Sequence, residues 1–386
     1  MTAGANRPYI PAIDQLRGFA ALLVLLYHGF HVFGAQFAYG VAFTPEGHWP
    51  HAGNPIVAVI VEGHTGVGLF IVLSGFVLSL GAIGHRIEYW RFVLARILRI
   101  YPVLLVMLTI GYAIHPVSLV GLLGSLPPLN TAGSVPGSST AMFWAVAVEF
   151  QCYLIFPFLL YFSDRIGTRF LFQVIAISLS LRALLVFAEV TNARDISYWT
   201  VFGRIDQFCI GMIAARMNVR GSWSERPRLL PVVAAAALAM ALLWGFNRAG
   251  GWPVMSEWKL IWPTIEGAQW AAFILAYLGA ANALPTGLAA ATARLGEISY
   301  SGYMVHFAAV QFVVRRRWFV RATGNDDYDA ILTTMLVAFP IVVCLATLLF
   351  ATIEKPFLRL RPRYILPLPV HDEPEGVSQG GRDRRR

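Results

Sequence analysis

The chain has 386 residues, of which 57% are hydrophobic and 13% are charged, and its mean hydropathy is +0.61. This balance excludes a water-soluble globular domain and is typical of a polytopic membrane protein. The formal net charge of +9 does not indicate a nucleic-acid partner, because the arginines lie in short loops between apolar segments, where the positive-inside rule explains them.

Apolar segments long enough to cross a hydrocarbon core of ~30 Å recur along the whole chain. We expect an all-α polytopic membrane protein of about ten transmembrane helices, with no separate soluble domain. The predicted spans are residues 18–35, 56–81, 93–114, 141–162, 170–189, 197–215, 229–246, 260–281, 298–314 and 330–353.

The loop charges predict which side of the membrane each end occupies. Residues 1–17 are expected to form a cytoplasmic N-terminus, residues 18–357 one transmembrane domain of the inner or plasma membrane, and residues 358–386 a disordered basic cytoplasmic tail. The loop "VRRRWFVRATG", with arginines from Arg315 to Arg321, falls on the predicted outer side. It is either a basic patch for an anionic acceptor or a place where the topology differs, and the sequence leaves both open.

The first predicted span begins in "DQLRGFAALLVLLYHGFH" and contains an arginine and a histidine eleven residues apart. On a helix, this spacing puts His28 about 16 Å beyond Arg17 and only about 20° around the axis. Asp14 precedes Arg17 by nearly one turn. A cation at the membrane boundary and an imidazole at depth on the same wall suit a substrate with an anionic head. A lone membrane histidine can also simply bond neighbouring helices.

The third span begins with "RFVLARILRIYP", which contains three arginines, Arg91, Arg96 and Arg99. Arg96 and Arg99 are adjacent on a helix, and guanidinium groups match the geometry of phosphate oxygens. A basic cluster that only stops membrane insertion would have the same composition.

The fourth span, "FWAVAVEFQCYLIFP", carries a buried acid. Glu149 and Tyr153 lie one turn apart on the same face, and Trp144 lies near the outer end. The carboxylate needs a partner, because an unpaired ionisable group inside the membrane is costly. That partner is either a catalytic histidine that it orients or a structural arginine, Arg182 or Arg204.

Further ionisable residues lie in the later spans. Arg204 and Asp206 are two residues apart, so each is expected to reach a different helix. His306 lies within the ninth span and is a candidate supporting group. Glu354 closes the last span, where we expect a solvated or structural role. No metal site is predicted.

Six ordered blocks resemble the integral-membrane acyltransferase family 3, the group of bacterial sugar and polysaccharide O-acetyltransferases. The blocks are "LRGFAALLVLLYH", "GVGLFIVLSGFVLS", "RILRIYP", "WAVAVEFQCYLIFP", "ISYSGYMVHF" and "IEKPF". The chain departs from the family pattern at four positions, where an Asp, a Ser, a second Glu and a Trp are usual: Gly68, Ala147, Phe150 and Val305.

The resemblance implies an acyl-coenzyme A co-substrate taken from the cytoplasm, no bound cofactor, and transfer to a hydroxyl of a carbohydrate or glycoconjugate. It also implies that His28 is the catalytic histidine and Arg17 its essential companion. Arg96 and Arg99 would fill the paired-arginine motif, with Arg91 nearby, and Glu149 would be the buried acid. Tyr153, Trp144, Arg204, Asp206, His306 and Asp14 are candidate acceptor or supporting residues.

Chemistry favours the same assignment, because an alcohol attacks a thioester slowly without a base whose pKa is near neutral, and imidazole is such a base. The main alternative is a proton-coupled transporter in which the membrane His, Glu and Asp residues form a relay. An accessory subunit of a polysaccharide assembly machine is a third interpretation, which does not explain the spacing of Arg17 and His28.

Overall fold

A computed structural model describes residues 10–47, 49–114, 119–124, 126–129, 141–220 and 228–367 of the chain. Secondary structure in these ranges is almost entirely helical, which confirms the all-α prediction. The helices are α1 Pro11–Tyr39, α2 Pro55–Val61, α3 Thr65–Ala82, α4 Tyr89–Ile114, α5 Leu119–Gly124, α6 Trp144–Ile166, α7 Arg169–Phe187, α8 Ala193–Trp199, α9 Val201–Arg220, α10 Leu229–Arg248, α11 Trp262–Leu278, α12 Thr286–Glu297, α13 Ser299–Arg316 and α14 Asp326–Arg359, the last interrupted by π-helical turns at Thr334–Ala338 and Phe350–Glu354.

Seven described helices are long and apolar enough to cross a membrane, namely α1, α3, α4, α6, α7, α10 and α14. The predicted spans at 197–215, 260–281 and 298–314 are also helical, as α9, α11 and α13. Of these three, α11 is the shortest at 17 residues, and α9 and α13 are more polar because they carry ionisable side chains such as Asp206 and His306. They pack inside the bundle, where α9 contacts α3, α7 and α11, and α13 contacts α1 and α14. The inner part of the bundle therefore combines the apolar helices α1 and α3 with the more polar α9, α11 and α13, whereas α7, α10 and α14 are the more exposed apolar helices.

Close backbone contact between α3 and α9 depends on glycine. A Cβ atom on Gly75 would lie 2.1 Å from the carbonyl oxygen of Phe208, and one on Gly211 would lie 2.1 Å from that of Val72. Small residues let membrane helices approach so closely that dispersion contacts replace the hydrophobic effect as the attractive force. The pair α3 and α9 thus fixes the centre of the bundle.

The second predicted span is not one helix, which corrects that prediction. Residues 62–64 form a turn between α2 and α3, although the apolar sequence runs on both sides of it. A Cβ atom on Gly63 would lie 2.8 Å from Tyr27 Cβ, so α1 packs directly against the turn. Buried hydrogen bonds of Glu62 and His64 compensate for the interrupted helix.

Residues 358–367, which include the last two residues of α14, form what we call the C-terminal strap. Its strand β2, Ile365–Leu366, pairs antiparallel with β1, Arg86–Ile87, and the Glu88 N–H donates to the Tyr364 carbonyl at 2.9 Å. The prediction of disorder is wrong for these residues, because the Tyr364 ring is buried against Phe92 at 5.2 Å between centroids. The rest of the predicted tail, residues 368–386, lies outside the described residues.

Candidate active site

A cavity of about 590 Å³ lies at the end of the bundle where α1 begins and α3 ends. Its wall is formed by α1, α3, α4, α6, α13 and the C-terminal strap. The polar residues that line it are Asp14, Arg17, Ser74, Arg96, Arg99, Glu149, Tyr153, Ser299, Tyr300, Tyr303, Arg359, Arg361 and Tyr364. Three of the predicted arginines, Arg17, Arg96 and Arg99, therefore meet the predicted acid Glu149 in one chamber.

The three inner arginines of the cavity are held in different ways. Arg17 Nη1 lies 3.4 Å from Asp14 Oδ1 in the preceding turn. Arg96 is buried against the rings of Phe92, Tyr153 and Tyr364, and its Nη2 donates to the Tyr364 hydroxyl at 3.2 Å. Guanidinium groups that pack on rings keep free N–H groups for an anion, because the ring occupies a face and not the edge.

Arg99 lines the cavity and pairs with a buried carboxylate, Glu354, which does not line it. Glu354 is 1% exposed, accepts a hydrogen bond from Ser301 Oγ at 2.6 Å and lies 3.8 Å from Arg99 Nη1. Of the two roles expected for Glu354, its burial excludes the solvated one and is compatible with the structural one. Arg91, by contrast, does not line the cavity; its side chain is 58% exposed and pairs with Glu88 at 3.3 Å.

Glu149 lies deep in the cavity wall. Its carboxylate accepts short hydrogen bonds from the Ser74 hydroxyl on α3 and from the Tyr153 hydroxyl one turn further along α6. Neither expected partner is present, because Glu149 bonds to no arginine in the described ranges and does not reach the ring of His28. The acid instead contributes a negative charge opposite the arginines.

His28 and His306 form a pair beyond the inner end of the cavity. His28 Nδ1 lies 2.9 Å from the Val24 carbonyl oxygen and 3.2 Å from His306 Nε2. His306 Nδ1 lies 2.5 Å from the Tyr303 carbonyl oxygen. The Tyr303 ring, which lines the cavity, is 5.2 Å from the His306 ring between centroids. Tyr303 therefore lies between the chamber and the histidine of α13.

The hydrogen bonds of the pair define its neutral tautomers. A carbonyl oxygen only accepts, so the Val24 contact requires N–H at His28 Nδ1, and the Tyr303 contact requires N–H at His306 Nδ1. His306 Nε2 then accepts from His28 Nδ1. His28 Nε2 is left with a lone pair, and this is the form that a general base needs.

Two further ion pairs connect α9 to its neighbours at a distance from the cavity. Arg182 Nη2 donates to Asp206 at 2.9 Å, and Arg204 Nη1 donates to Glu266 at 3.1 Å. Arg204 and Asp206 thus reach different helices, as their spacing predicts. None of the four lines the cavity, so their contacts connect helices and do not contribute to its wall.

Trp144 does not line the cavity, and neither does the basic loop from Arg315 to Arg321 that falls on the predicted outer side. Trp144 begins α6 and contacts the rings of Tyr198 and Trp199. In the basic loop, Arg321 pairs with Asp326 at 2.8 Å and lies over the ring of Phe37. Part of the positive charge in this loop is therefore neutralised locally.

Several lining residues carry no signal that separates them from ordinary membrane residues in one sequence. Ser74 and Tyr300 are single polar groups in apolar helices, and Tyr364 lies in a segment whose composition predicts disorder. No group of three or more His, Cys, Asp or Glu side chains within the described ranges is arranged to hold a metal ion.

The all-α polytopic fold is consistent with the comparisons to known proteins. The family model for the acyltransferase domain, acyltransferase 3, matches residues 10–354. The chain is also 27% identical to "Acyltransferase MdmB" of Streptomyces mycarofaciens over 94% of this chain and 96% of that protein. No solved structure is significantly similar. The chain belongs to the acyltransferase 3 family and is a membrane acyltransferase.

Proposed function

We propose that the protein transfers an acyl group, most simply acetyl, from cytoplasmic acyl-coenzyme A to a hydroxyl of a carbohydrate or glycoconjugate in the cell envelope. The observation that carries this proposal is the position of the histidine pair directly beyond the inner end of a cavity whose other residues include Arg17, Arg96 and Arg99. Family membership supports acyl transfer, and the geometry supports the donor and the base.

The arginines suit the phosphates of the donor. Arg96 and Arg99 lie on consecutive turns of α4, and Arg17, Arg359 and Arg361 line the same cavity. A cationic chamber binds a phosphorylated head, because guanidinium groups form paired charge-assisted hydrogen bonds with phosphate oxygens. The flexible pantetheine arm would then extend past Tyr303 towards His28, which lies about 16 Å along α1 from Arg17.

The histidine pair suits the proton transfer. His28 Nε2 would take the proton of the acceptor hydroxyl while the hydroxyl oxygen attacks the thioester carbonyl. His306 Nε2 accepts from His28 Nδ1, so it stabilises the imidazolium that forms. When the intermediate collapses, the carbon–sulfur bond breaks and His28 returns the proton to the coenzyme A thiolate. An acyl-histidine intermediate would use the same nitrogen.

The family assignment argues against the alternative that the protein is a proton-coupled transporter. Its relay would connect His28, Glu149, Asp206 and His306, but Asp206 is bonded to Arg182 and Thr264, and Glu149 to Ser74 and Tyr153. Of these four groups, the two histidines are the ones bonded to each other in the described part of the chain.

The test compares His28→Ala with His85→Ala, a control at an exposed loop histidine. Purified protein receives acetyl-coenzyme A and a pool of envelope glycans, and release of free thiol is followed. General-base catalysis is typically worth about 10²- to 10⁴-fold in rate, so His28→Ala should lose that much turnover. Acetyl-coenzyme A binding should persist in both variants. Wild-type turnover in His28→Ala would contradict the role of the histidine.

A further inference from the structure

A second buried polar cluster lies at the break between α2 and α3. Glu62 is fully buried and accepts hydrogen bonds from Trp49 Nε1 at 2.9 Å, Asn247 Nδ2 at 2.7 Å and His64 Nε2 at 3.0 Å. Broken helices inside a membrane are tolerated where the freed groups are buried in protein or line a cavity, and such breaks often mark binding sites. None of these residues has a part in the donor chemistry above.

Two imidazole nitrogens of this cluster have no hydrogen-bond donor in the described residues. His64 Nε2 donates to the Glu62 carboxylate, so in the neutral imidazole His64 Nδ1 carries a lone pair. His31 Nε2 donates to the Val61 carbonyl at 2.9 Å, so His31 Nδ1 also carries a lone pair. Both Nδ1 atoms are buried and have no partner in that part of the chain. A buried acceptor without a donor costs free energy unless a ligand or water supplies the donor.

Aromatic rings surround these acceptors. The Tyr27 ring lies 4.7 Å from His31 and 5.6 Å from His64, and the Trp49 ring lies 4.6 Å from His31. Trp49 is partly exposed, so the edge of the cluster reaches the protein surface. The nearby ammonium group of Lys259 donates to the carbonyls of Gly251 and Trp252 and is not directed at the cluster. Acceptor nitrogens among rings suit a neutral ligand that carries hydroxyl groups on an apolar frame.

The cluster lies next to the proposed base. His31 follows His28 by three residues on α1, a rise of about 4.5 Å. Tyr27 touches both, because its ring also lies 4.7 Å from the His28 ring. A ligand whose hydroxyls reach His31 and His64 can therefore present a neighbouring hydroxyl to His28.

We propose that His31, His64 and Glu62, with the rings of Tyr27 and Trp49, form the binding site for a neutral, hydroxyl-rich acceptor, with both Nδ1 atoms accepting hydrogen bonds from its hydroxyl groups. This proposal rests on the proposed function, since it supplies the acceptor for the same reaction. His31 and His64 are then binding residues, and Glu62 is a positioning residue that fixes the tautomer of His64.

The test uses a neutral methyl glycoside that carries a photoreactive diazirine as the probe. Full-length protein in detergent is irradiated with it, with and without excess unmodified methyl glycoside, and adducts are located by mass spectrometry. Adducts are expected around Tyr27 and Trp49 and should be competed. Loss of one neutral hydrogen bond corresponds to about three- to tenfold weaker binding, so His31→Phe and His64→Phe should each lower labelling by that factor. His85→Phe serves as the control.

A measurement on the unmodified protein covers the case that a variant fails to fold. The ¹⁵N resonances of the histidines should show unprotonated Nδ1 atoms in His31 and His64 that move when the methyl glycoside is added. Unchanged resonances at saturating probe, or labelling that is insensitive to both substitutions, would overturn the proposal.

The outcomes separate this site from the donor chemistry. Thiol release that depends on His28, together with no labelling at the cluster, would refute the acceptor site and leave the proposed function standing. Labelling at the cluster without acetyl-coenzyme A binding would refute the proposed donor and leave the site standing.

Discussion

Arg96 combines packing with an available charge. It is 3% exposed, it contacts three aromatic rings, and its Nε atom is buried without a partner in the described residues. Arg182, which connects α7 to α9, has the same unpartnered Nε atom in the described part of the chain, so this feature alone does not distinguish a ligand-binding arginine. The position of Arg96 on the cavity wall is the feature that supports the proposed phosphate contact.

Arg96→Lys should therefore weaken donor binding although it keeps the charge. Lysine lacks the planar fork and the ring stacking, and a charge-assisted hydrogen bond is worth about 1.5–3 kcal/mol, so the acetyl-coenzyme A Kd should rise about tenfold or more. Titration calorimetry on detergent-solubilised protein measures this. Arg91→Lys is the matched control, since Arg91 lies outside the cavity on the same helix. Equal Kd values for the two variants would argue against Arg96 as a phosphate ligand.

At the scale of elements, the contact between α3 and α9 connects packing to the site. The α3 helix supplies Ser74 to the bond with Glu149, and the adjacent Gly75 lies against the backbone of Phe208. Displacing α9 from α3 would therefore also move a hydrogen-bond donor of the cavity. Helix packing and the geometry of the buried acid depend on the same turn of α3.

Gly75→Ala should lower thermal stability, whereas Gly34→Ala on α1 should not. The new methyl group at position 75 has no room, and overpacking typically costs about 1–3 kcal/mol. A methyl group at position 34 would meet no atom within 4 Å, and replacing a helical glycine by alanine stabilises by about 0.5–1 kcal/mol. Unfolding temperatures followed by intrinsic fluorescence in one detergent compare the two. A Gly75→Ala protein as stable as Gly34→Ala would show that the backbones separate easily.

For the whole molecule, the sequence predicts the class of fold and several residues of the chamber. Apolar length and loop charge suffice for a polytopic helical protein, and the helical spacing of Glu149 and Tyr153 predicts their contact. The periodicity of a single helix cannot show which helices meet. The pairing of His28 with His306, and the burial of Glu354 beside Arg99, depend on contacts between segments more than 200 residues apart.

Two local predictions failed for physical reasons. The break at Glu62 to His64 lies in an apolar sequence without proline, and the tertiary hydrogen bonds of Glu62 compensate for it. The strap has the composition of a disordered tail, yet one buried ring, Tyr364, and a two-residue strand order it. In both places long-range contacts override the local pattern.

The orientation predicted from the arginines can be tested on the whole chain. In a protein whose cysteines Cys152, Cys209 and Cys344 are replaced by alanine, Leu360→Cys reports on the strap and Gly53→Cys on the loop after α1. A membrane-impermeant maleimide should label position 360 only in inverted vesicles and position 53 only in spheroplasts, because arginine-rich ends stay in the cytoplasm. Labelling of both from one side would reverse or break the predicted topology.

The strap has a consequence for biogenesis. The cavity has Arg17 on its first helix and Tyr364 after its last, so its wall joins residues from the two extremes of the described chain. The strap is synthesised after every helix that lines the cavity. Until the strap pairs with β1, the chamber lacks one side and Arg96 lacks its Tyr364 partner. Insertion of the helices alone therefore leaves the set of lining residues incomplete, and pairing of the strap with β1 completes it.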